Sequence, residues 1–333
     1  MPDYLDDLLD EIGVSPGELD LQRIGDGHSN LTFLLRRGGD QLVLRRPPQG
    51  PLPPSAHDVV REARLIDALG SLGARVPAIH HVCADPDLIG APFYLMSFVS
   101  GSVLTDSLPA ALDEEQARRW IGAEMVAVLA EIHAIDAGAD ELESFGRPEA
   151  FLARQLRRFR GLLEHNTTRP LPDLDRLTDW LLANVPETQR VTVVHGDYRI
   201  GNVVFESRPR RLAAVLDWEL ATLGDPLADL GYLTATWSQA GDAPNIVRDL
   251  CPVTRRSGFP TREEIAGDYA EATGLAVDSL PWYQALALWR SAIFLEGSYR
   301  RYRLAATDDA FFAGLKDGVP ALARLGYELG NGG

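Results

Sequence analysis

The chain has 333 residues, 45% of them hydrophobic, and a formal net charge of −16, enough apolar material to bury a sizeable core as one large domain or two lobes. That acidity disfavours nucleic acid and anionic membrane as partners, since both require a basic face. No apolar run approaches the roughly twenty residues needed to span a bilayer, and the first residues are acidic where a signal peptide would be basic, so a cytoplasmic location is expected.

Cys83 and Cys251 lie in no CxxC spacing, which argues against a disulfide framework or a zinc site. Lys316 is the single lysine among 32 basic residues. That bias is chain-wide and gives no individual arginine special standing.

In chain order, residues 3–12 read as a short amphipathic capping helix, with Leu5, Leu8, Leu9 and Ile12 on one side and acids on the other. Leu21 to Leu35 runs strand, glycine turn, strand, with Gly25, Gly27, Ser29 and Asn30 in the turn. Gln41 to Leu44 is a third strand, ending in Arg45 and Arg46 before a proline-rich run that should be a stiff connector. A helix begins at about Ser55, where Ser55 and Asp58 fit a capping box. Its apolar stripe is Val59, Ala63, Ile66 and Leu69, and Glu62 falls on that stripe, where a carboxylate needs a partner. Ala78 to Val82 and Pro92 to Val99 are two more strands, and beyond Gly101 the pattern turns helical. Residues 114–135 carry Ile121, Met125, Val128, Leu129 and Ile132 as a core stripe, with His133 structural. Two helical segments come next within 149–184, and later helices are expected near 227–238, 261–273 and 280–303.

Between them lies Val193 to Asp229, which holds Asp197, Asn202 and Asp217 among short apolar runs of strand length. A hairpin centred on Pro209 and Arg210 would set Asn202 opposite Asp217, with Val203 facing Leu216 and Val204 facing Val215. Three oxygen-bearing side chains would then converge, a suitable set for a hard cation such as Mg2+ held together with substrate phosphates.

His195-Gly196-Asp197 followed by Asn202, and Asp217 in Leu-Asp-Trp-Glu, resemble the catalytic core of the aminoglycoside phosphotransferase and choline kinase superfamily. HGDYRIGN and LDWELATLGDPLADLGYL run in the style of the kinase-like domain that heads some acyl-CoA dehydrogenases. The resemblance implies an α+β, two-lobed protein-kinase-like fold. A capping helix over 1–19 would precede a nucleotide-binding, antiparallel-sheet N-lobe over 20–99 and a mostly helical, catalytic and substrate-binding C-lobe over 100–333.

It also implies roles. Asp197 would take the proton of the attacking hydroxyl, and Arg199 would neutralise charge on the phosphoryl group in flight. Asn202 and Asp217 would hold Mg2+. Backbone N–H groups at Gly25, Gly27, Ser29 and Asn30 would cover the nucleotide phosphates, although the third glycine of GxGxxG is missing. Arg45 stands where kinases carry a phosphate-contacting lysine and would pair with Glu62 in the nucleotide-bound state. Met96 would line the adenine pocket, with the backbones of Ser97 and Val99 as its hydrogen-bonding partners. His195 and Gly196 would shape the loop, Asp225 would start a helix, and Asp229 would brace the catalytic-loop backbone.

The implied activity is an ATP- and Mg2+-dependent transfer of phosphate to a hydroxyl of a small molecule, with GTP left open as donor. The helix at 280–303 carries Arg290, Arg300, Arg301 and Arg303 against Glu296, among Trp289, Phe294, Tyr299 and Tyr302. Arginine beside aromatics suits an anionic or acyl-CoA-type metabolite. Three alternatives stand beside it: an aminoglycoside or amino-alcohol kinase, a metal-dependent hydrolase using His195, Asp197 and Asp217, and a nucleotide-binding pseudoenzyme with a regulatory role. The oligomeric state is open.

Overall fold

The computed structural model describes residues 2–25, 30–48, 58–146, 149–304 and 310–332. Two units emerge. The first is Met1–Gly101 with Val204–Glu206 and Ala213–Leu220; the second is Ser102–Val203 with Ser207–Leu212 and Ala221–Gly333. Among the described residues no helix is long and apolar enough to cross a membrane.

The first unit is built on a five-stranded antiparallel sheet. Its strands are β1 (Asp20–Ile24), β2 (Leu31–Arg37), β3 (Asp40–Arg46), β4 (Ile79–Cys83) and β5 (Phe93–Ser97), in the order β1-β2-β3-β5-β4. The β2–β3 turn is two residues long, Gly38 and Gly39, both with positive φ, the arrangement a tight hairpin requires. A side chain at Gly38 would also meet the carbonyls of Ser15 and Pro16 at 2.6 Å.

Helix α1 (Pro2–Glu11) buries Leu5, Leu8 and Leu9 against Leu35, Leu42, Leu44 and Phe93, each leucine contributing about 2 kcal/mol of transfer free energy. Its polar side meets Arg37, which pairs with Asp6 at 3.3 Å and Asp10 at 2.6 Å. Strand alternation places Leu44 in this cluster and turns Arg45 to the other face, where it stands opposite Tyr94 of β5. Helix α2 (Val59–Ser71) buries Val59, Glu62, Ala63, Ile66 and Leu69, the stripe read from the sequence. Its N-cap is Asp58, whose carboxylate accepts the N–H of Arg61; Ser55, expected to share that role, lies outside the described residues, as does most of the proline-rich run.

The second unit is mostly helical, with α3 (Glu115–His133), α4 (Phe151–Asn166) and α5 (Pro172–Ala183) ahead of β6 (Thr192–Val194). In this unit β6 pairs with β9 (Thr222–Gly224), while strands β7 (Val203–Ser207) and β8 (Arg210–Val215) form a two-stranded sheet whose residues Val204–Glu206 and Ala213–Val215 count with the first unit. Helices α6 (Leu227–Thr236), α7 (Arg262–Thr273), α8 (Leu280–Arg303) and α9 (Leu315–Asn331) complete it. The buried Trp282, Tyr283, Leu286, Trp289 and Ile293 make α8 the core around which α4, α5, α6 and α9 pack. Gly231 lets α6 approach closely, for a Cβ there would sit 2.5 Å from that of Tyr283.

Two elements depart from the sequence reading. Helix α9 was not foreseen, because Gly318, Pro320, Gly326 and Gly330 interrupt its pattern. Gly326 and Gly330 are instead sites of close contact, with Leu177 and with Trp180. The β7–β8 turn is Arg208 and Pro209, one residue earlier than expected. Asn202 and Asp217 therefore lie outside the paired strands. Asn202 ends a 3₁₀ turn, Ile200–Asn202, and Asp217 comes after β8 with φ 68.

Candidate active site

The candidate residues fall into two clusters, one in each unit. In the sheet-bearing unit, β3 delivers Arg45 and α2 delivers Glu62. Arg45 and Glu62 form an ion pair, with Nε of Arg45 donating to Oε2 of Glu62 at 3.1 Å. Arg45 also binds Asp217 through Nη2, and that nitrogen lies 3.7 Å from Oε2 of Glu219. Glu62 is 1% exposed. Burial pushes its carboxyl up, and Arg45 works against that rise. Burial likewise works to strip Arg45 of its proton, but Glu62, Asp217, Tyr94 and Glu219 outweigh it and hold the guanidinium charged.

Asp217 is a non-glycine residue in the left-handed region, a conformation that persists only where its surroundings impose it. Trp218 supplies part of that hold, since its buried indole donates to the carbonyl of Val215 at 2.9 Å. Asn30 donates its side-chain amide to Glu219 at 3.0 Å, which ties the end of the β1–β2 turn to the Asp217 segment. Gly25 closes β1 with φ 75, while Gly27 and Ser29 lie outside the described residues.

At the end of β5, Met96 is buried opposite Val43. The backbone N–H of Ser97 is taken by the carbonyl of Ala78 at 2.8 Å. The Ser97 N–H is therefore engaged, and the part of its backbone left to hydrogen-bond an adenine is the carbonyl. Val99 lies just past the strand and is half-buried.

In the helical unit, the loop after β6 is fastened from beneath. Asp229 on α6 accepts the N–H of His195 through Oδ2 and that of Gly196 through Oδ1, both at 2.7 Å. The brace expected of Asp229 is therefore in place. His133 stands 3.2 Å from the same carboxylate, and its other ring nitrogen lies 2.6 Å from the Tyr269 hydroxyl. Burial pushes Asp229 up, but the hydrogen bond and charge of His133, with His195 and the Gly196 N–H, carry it below the usual carboxylate value. Gly196 has φ 85, a turn that glycine makes without strain. Asp225 accepts the N–H of Leu227 at 3.0 Å and the Tyr283 hydroxyl at 2.8 Å, so it does start α6.

The loop presents Asp197. Its Oδ2 accepts from Nδ2 of Asn202 at 2.7 Å, and its Oδ1 lies 3.6 Å from Nε of Arg199. Asn202 Nδ2 also donates to the backbone carbonyl of Asp197 at 2.9 Å, so the amide nitrogen is fully committed to one neighbour. Arg199 reaches Sγ of the buried Cys251 at 3.4 Å.

Two residues here escaped sequence reasoning in their present role. Tyr232, three residues after Asp229 on α6, stands close enough to Asp197 that, with burial, the carboxylate charge pushes its phenol well above the usual range; the i, i+3 spacing from Asp229 was the available signal. Arg290, one of the four arginines noted on this helix, is buried, 7% exposed, and donates to the carbonyl of Gly196 at 3.3 Å. Arg301 and Arg303 lie at the exposed end of α8, and Arg300 donates to the carbonyl of His165 at 2.6 Å. Glu296 does not answer these arginines. It is fully buried and held by Arg169, with Nη2 at 2.8 Å.

Among the described residues, no group of three or more His, Cys, Asp and Glu side chains is arranged to hold a metal ion. A metal-dependent hydrolase would need His195 as a ligand. Its ring is instead fully buried, and Nδ1 accepts the N–H of Asp197 at 3.1 Å.

Residues 20–286 match the family model described as the phosphotransferase enzyme family. Mouse acyl-CoA dehydrogenase family member 10 is 37% identical over 289 residues, covering 86% of this chain and 27% of the relative. The chain thus spans between about a quarter and two fifths of the curated relatives it matches, 27% and 42% for two of them. A solved Ralstonia eutropha protein, provisionally described as an aminoglycoside phosphotransferase, superposes with a TM-score of 0.82 at 30% identity, covering 100% of this chain and 98% of that one. A thermostable mutant of aminoglycoside phosphotransferase APH(4)-Ia, solved as a ternary complex with AMP-PNP and hygromycin B, shares the fold with a TM-score of 0.62 at 18% identity, over 96% of this chain and 98% of that one. With its two-part, kinase-like α+β architecture and a match running from β1 into α8, the chain belongs to the phosphotransferase enzyme family.

Proposed function

We propose that this chain is an ATP- and Mg2+-dependent small-molecule kinase that phosphorylates a hydroxyl group. The observation that carries the reading is the posture of Asp197: its loop is clamped by Asp229 through two backbone N–H groups, and its carboxylate is oriented by Asn202. Such a carboxylate is fit to accept the proton of an alcohol as its oxygen bonds to the γ-phosphorus and the bond to the ADP oxygen breaks. Arg199, 3.6 Å from Asp197, would offset charge on the oxygens in flight.

Asn202 and Asp217 fit a hard divalent cation by donor chemistry. The Asn202 nitrogen is spent on Asp197, which supports its amide oxygen as the atom that would meet a cation, and Asp217 offers a carboxylate that is partly open. When bound, Mg2+ would neutralise and bridge nucleotide phosphates. Arg45, fixed by Glu62, is the candidate phosphate anchor; Met96, the carbonyl of Ser97 and Val99 are candidates for the adenine. Gly25, Gly27, Ser29 and Asn30 remain candidates for the phosphate-covering turn. The AMP-PNP complex of the distant relative supports ATP as donor.

For the acceptor, we favour an anionic or acyl-type metabolite over an aminoglycoside, because a guanidinium, Arg290, stands behind the Asp197 loop. A second reading, a nucleotide-binding pseudoenzyme, is favoured by the Arg45–Asp217 contact, which occupies a candidate metal ligand with an internal cation.

ATP consumption measured with and without Mg2+, against hydroxyacyl-CoAs, hydroxy acids, amino alcohols and aminoglycosides, tests both. Acceptor-dependent turnover lost in Asp197→Asn is the expected result. Nucleotide binding without turnover on any acceptor would establish the pseudoenzyme, and phosphorylation confined to aminoglycosides would overturn the acceptor class.

A further inference from the structure

Arg290 sits in the middle of α8 and is 7% exposed. A guanidinium at that depth ordinarily has a carboxylate partner, because burying an unpaired charge is costly. Arg290 has none within ion-pair distance among the described residues. Nη2 donates to the carbonyl of Gly196 at 3.3 Å, a long bond, and Nε is buried without any hydrogen-bond partner. One face of the group lies over the Phe159 ring, with Cζ 4.9 Å from the ring centroid.

The nearby acids do not explain it. Asp229 is spent on His133 and two backbone N–H groups; Asp197 accepts from Asn202 through Oδ2, and its Oδ1, which accepts no hydrogen bond, is paired at 3.6 Å with Arg199 and not with Arg290. Burial pulls the Arg290 guanidinium toward losing its proton, Tyr232, Asp229 and Asp197 resist at longer range, and Arg158 adds a like charge. A structural arginine would be paired. A cation kept buried and under-coordinated next to the catalytic-loop backbone is what a site for an anionic ligand looks like before the ligand arrives.

We propose that Arg290 is the recognition point for an oxyanion, carboxylate or phosphate, carried by the acceptor molecule, and that it sets the acceptor's hydroxyl against Asp197. This rests on the kinase reading for the acceptor but not for the anion itself. Phosphate and carboxylate share the chemistry a guanidinium reads, charge plus paired acceptor oxygens. A neutral or cationic acceptor gains nothing from it. Arg290 is thus a specificity-determining residue, distinct from Asp197 and Arg199.

The test uses the full chain and the variants Arg290→Met, Arg290→Gln and Arg290→Lys. Short-chain hydroxy acids, their phosphate-bearing counterparts, and the matching neutral diols are titrated while the melting temperature is monitored. Phosphorylation of the same compounds from ATP and Mg2+ is then measured. At least one anion, and not its diol, should stabilise the wild type. Its apparent affinity should fall by about tenfold or more in Arg290→Met and Arg290→Gln, the loss expected for a charge-assisted hydrogen bond, with partial recovery in Arg290→Lys. The ligand-free Arg290→Met protein should melt no lower than the wild type, since it removes an unpaired buried charge. Anion binding by Arg290→Met equal to that of the wild type, or no anion stabilising the wild type more than its diol, overturns the proposal. If the phosphates alone bind, the site reads phosphate; if the carboxylates alone, carboxylate. Should anion binding depend on Arg290 while no compound is phosphorylated, the anion site stands and the kinase reading falls. Turnover with an acceptor KM unchanged in Arg290→Met would do the reverse.

Discussion

Asp229 and Gly196 are joined by a hydrogen bond of 2.7 Å between a carboxylate that is fully buried and a backbone N–H of the loop that presents Asp197. The bond matters because a buried carboxylate in this position cannot be exchanged for an amide without loss: an Asn turns one N–H donor toward another. Asp229→Asn should destabilise the chain by about 3–5 kcal/mol, the cost of breaking a buried charged contact, as read from urea unfolding at neutral pH.

The same carboxylate predicts an acid limb. Its folded pKa is lowered from the ordinary 3.8, so it stabilises the fold at pH values above 3.8 and loses that contribution as pH falls through the depressed value. Melting temperatures taken from pH 7 downward should drop more steeply below about pH 4 in the wild type than in Asp229→Asn. Parallel curves would mean that other groups govern the acid transition.

Arg45 is held by Glu62 and Asp217 at once. Arg45→Ala should weaken ATP binding and turnover together, and Arg45→Lys should restore part of both, because the ammonium keeps the charge but not the fork. Nucleotide titration of the three proteins measures this. Unchanged apparent affinity and turnover in Arg45→Ala would remove Arg45 from the phosphate site.

Tyr232 is half-buried beside Asp197, and desolvation together with the Asp197 charge pushes its phenol well above the usual range. Tyr232→Phe removes one oxygen and leaves the ring. The expected outcome is a several-fold fall in kcat with the KM for ATP unchanged, whereas Asp197→Asn should cost about 10²–10⁴-fold, the usual contribution of a general base. Steady-state kinetics with any accepted substrate separate the two.

Gly231 touches Tyr283 so closely that a methyl group would lie 2.5 Å from its Cβ. Gly231→Ala should therefore lower stability by about 1–3 kcal/mol through overpacking, despite alanine's better helix propensity. Thermal unfolding that shows no loss would indicate that α6 and α8 can move apart freely.

What the sequence determined by itself was local. Apolar spacing placed α2, α3 and α8 within a few residues, because i, i+3 and i+4 side chains share a helix face whatever the helix packs on. The same spacing put Glu62 on a buried stripe and so required a partner, which Arg45 supplies. The order His195, Gly196, Asp197, Asn202, Asp217 carried the family. Tertiary structure decided the rest, because contacts between residues far apart in sequence leave no periodic trace. Nothing in the neighbourhood of Arg290 marked it for the Gly196 carbonyl, 94 positions away, in preference to solvent beside Arg300 and Arg301. Only packing around α8 buried it. Helix α9 was hidden for a related reason: its glycines weaken the local helix signal and are tolerated because neighbouring side chains fill the space a Cβ would need. The hairpin turn at Arg208 and Pro209 differed by one residue, and moving a turn by one residue shifts every cross-strand partner by two, so the expected pairing of Asn202 with Asp217 is lost.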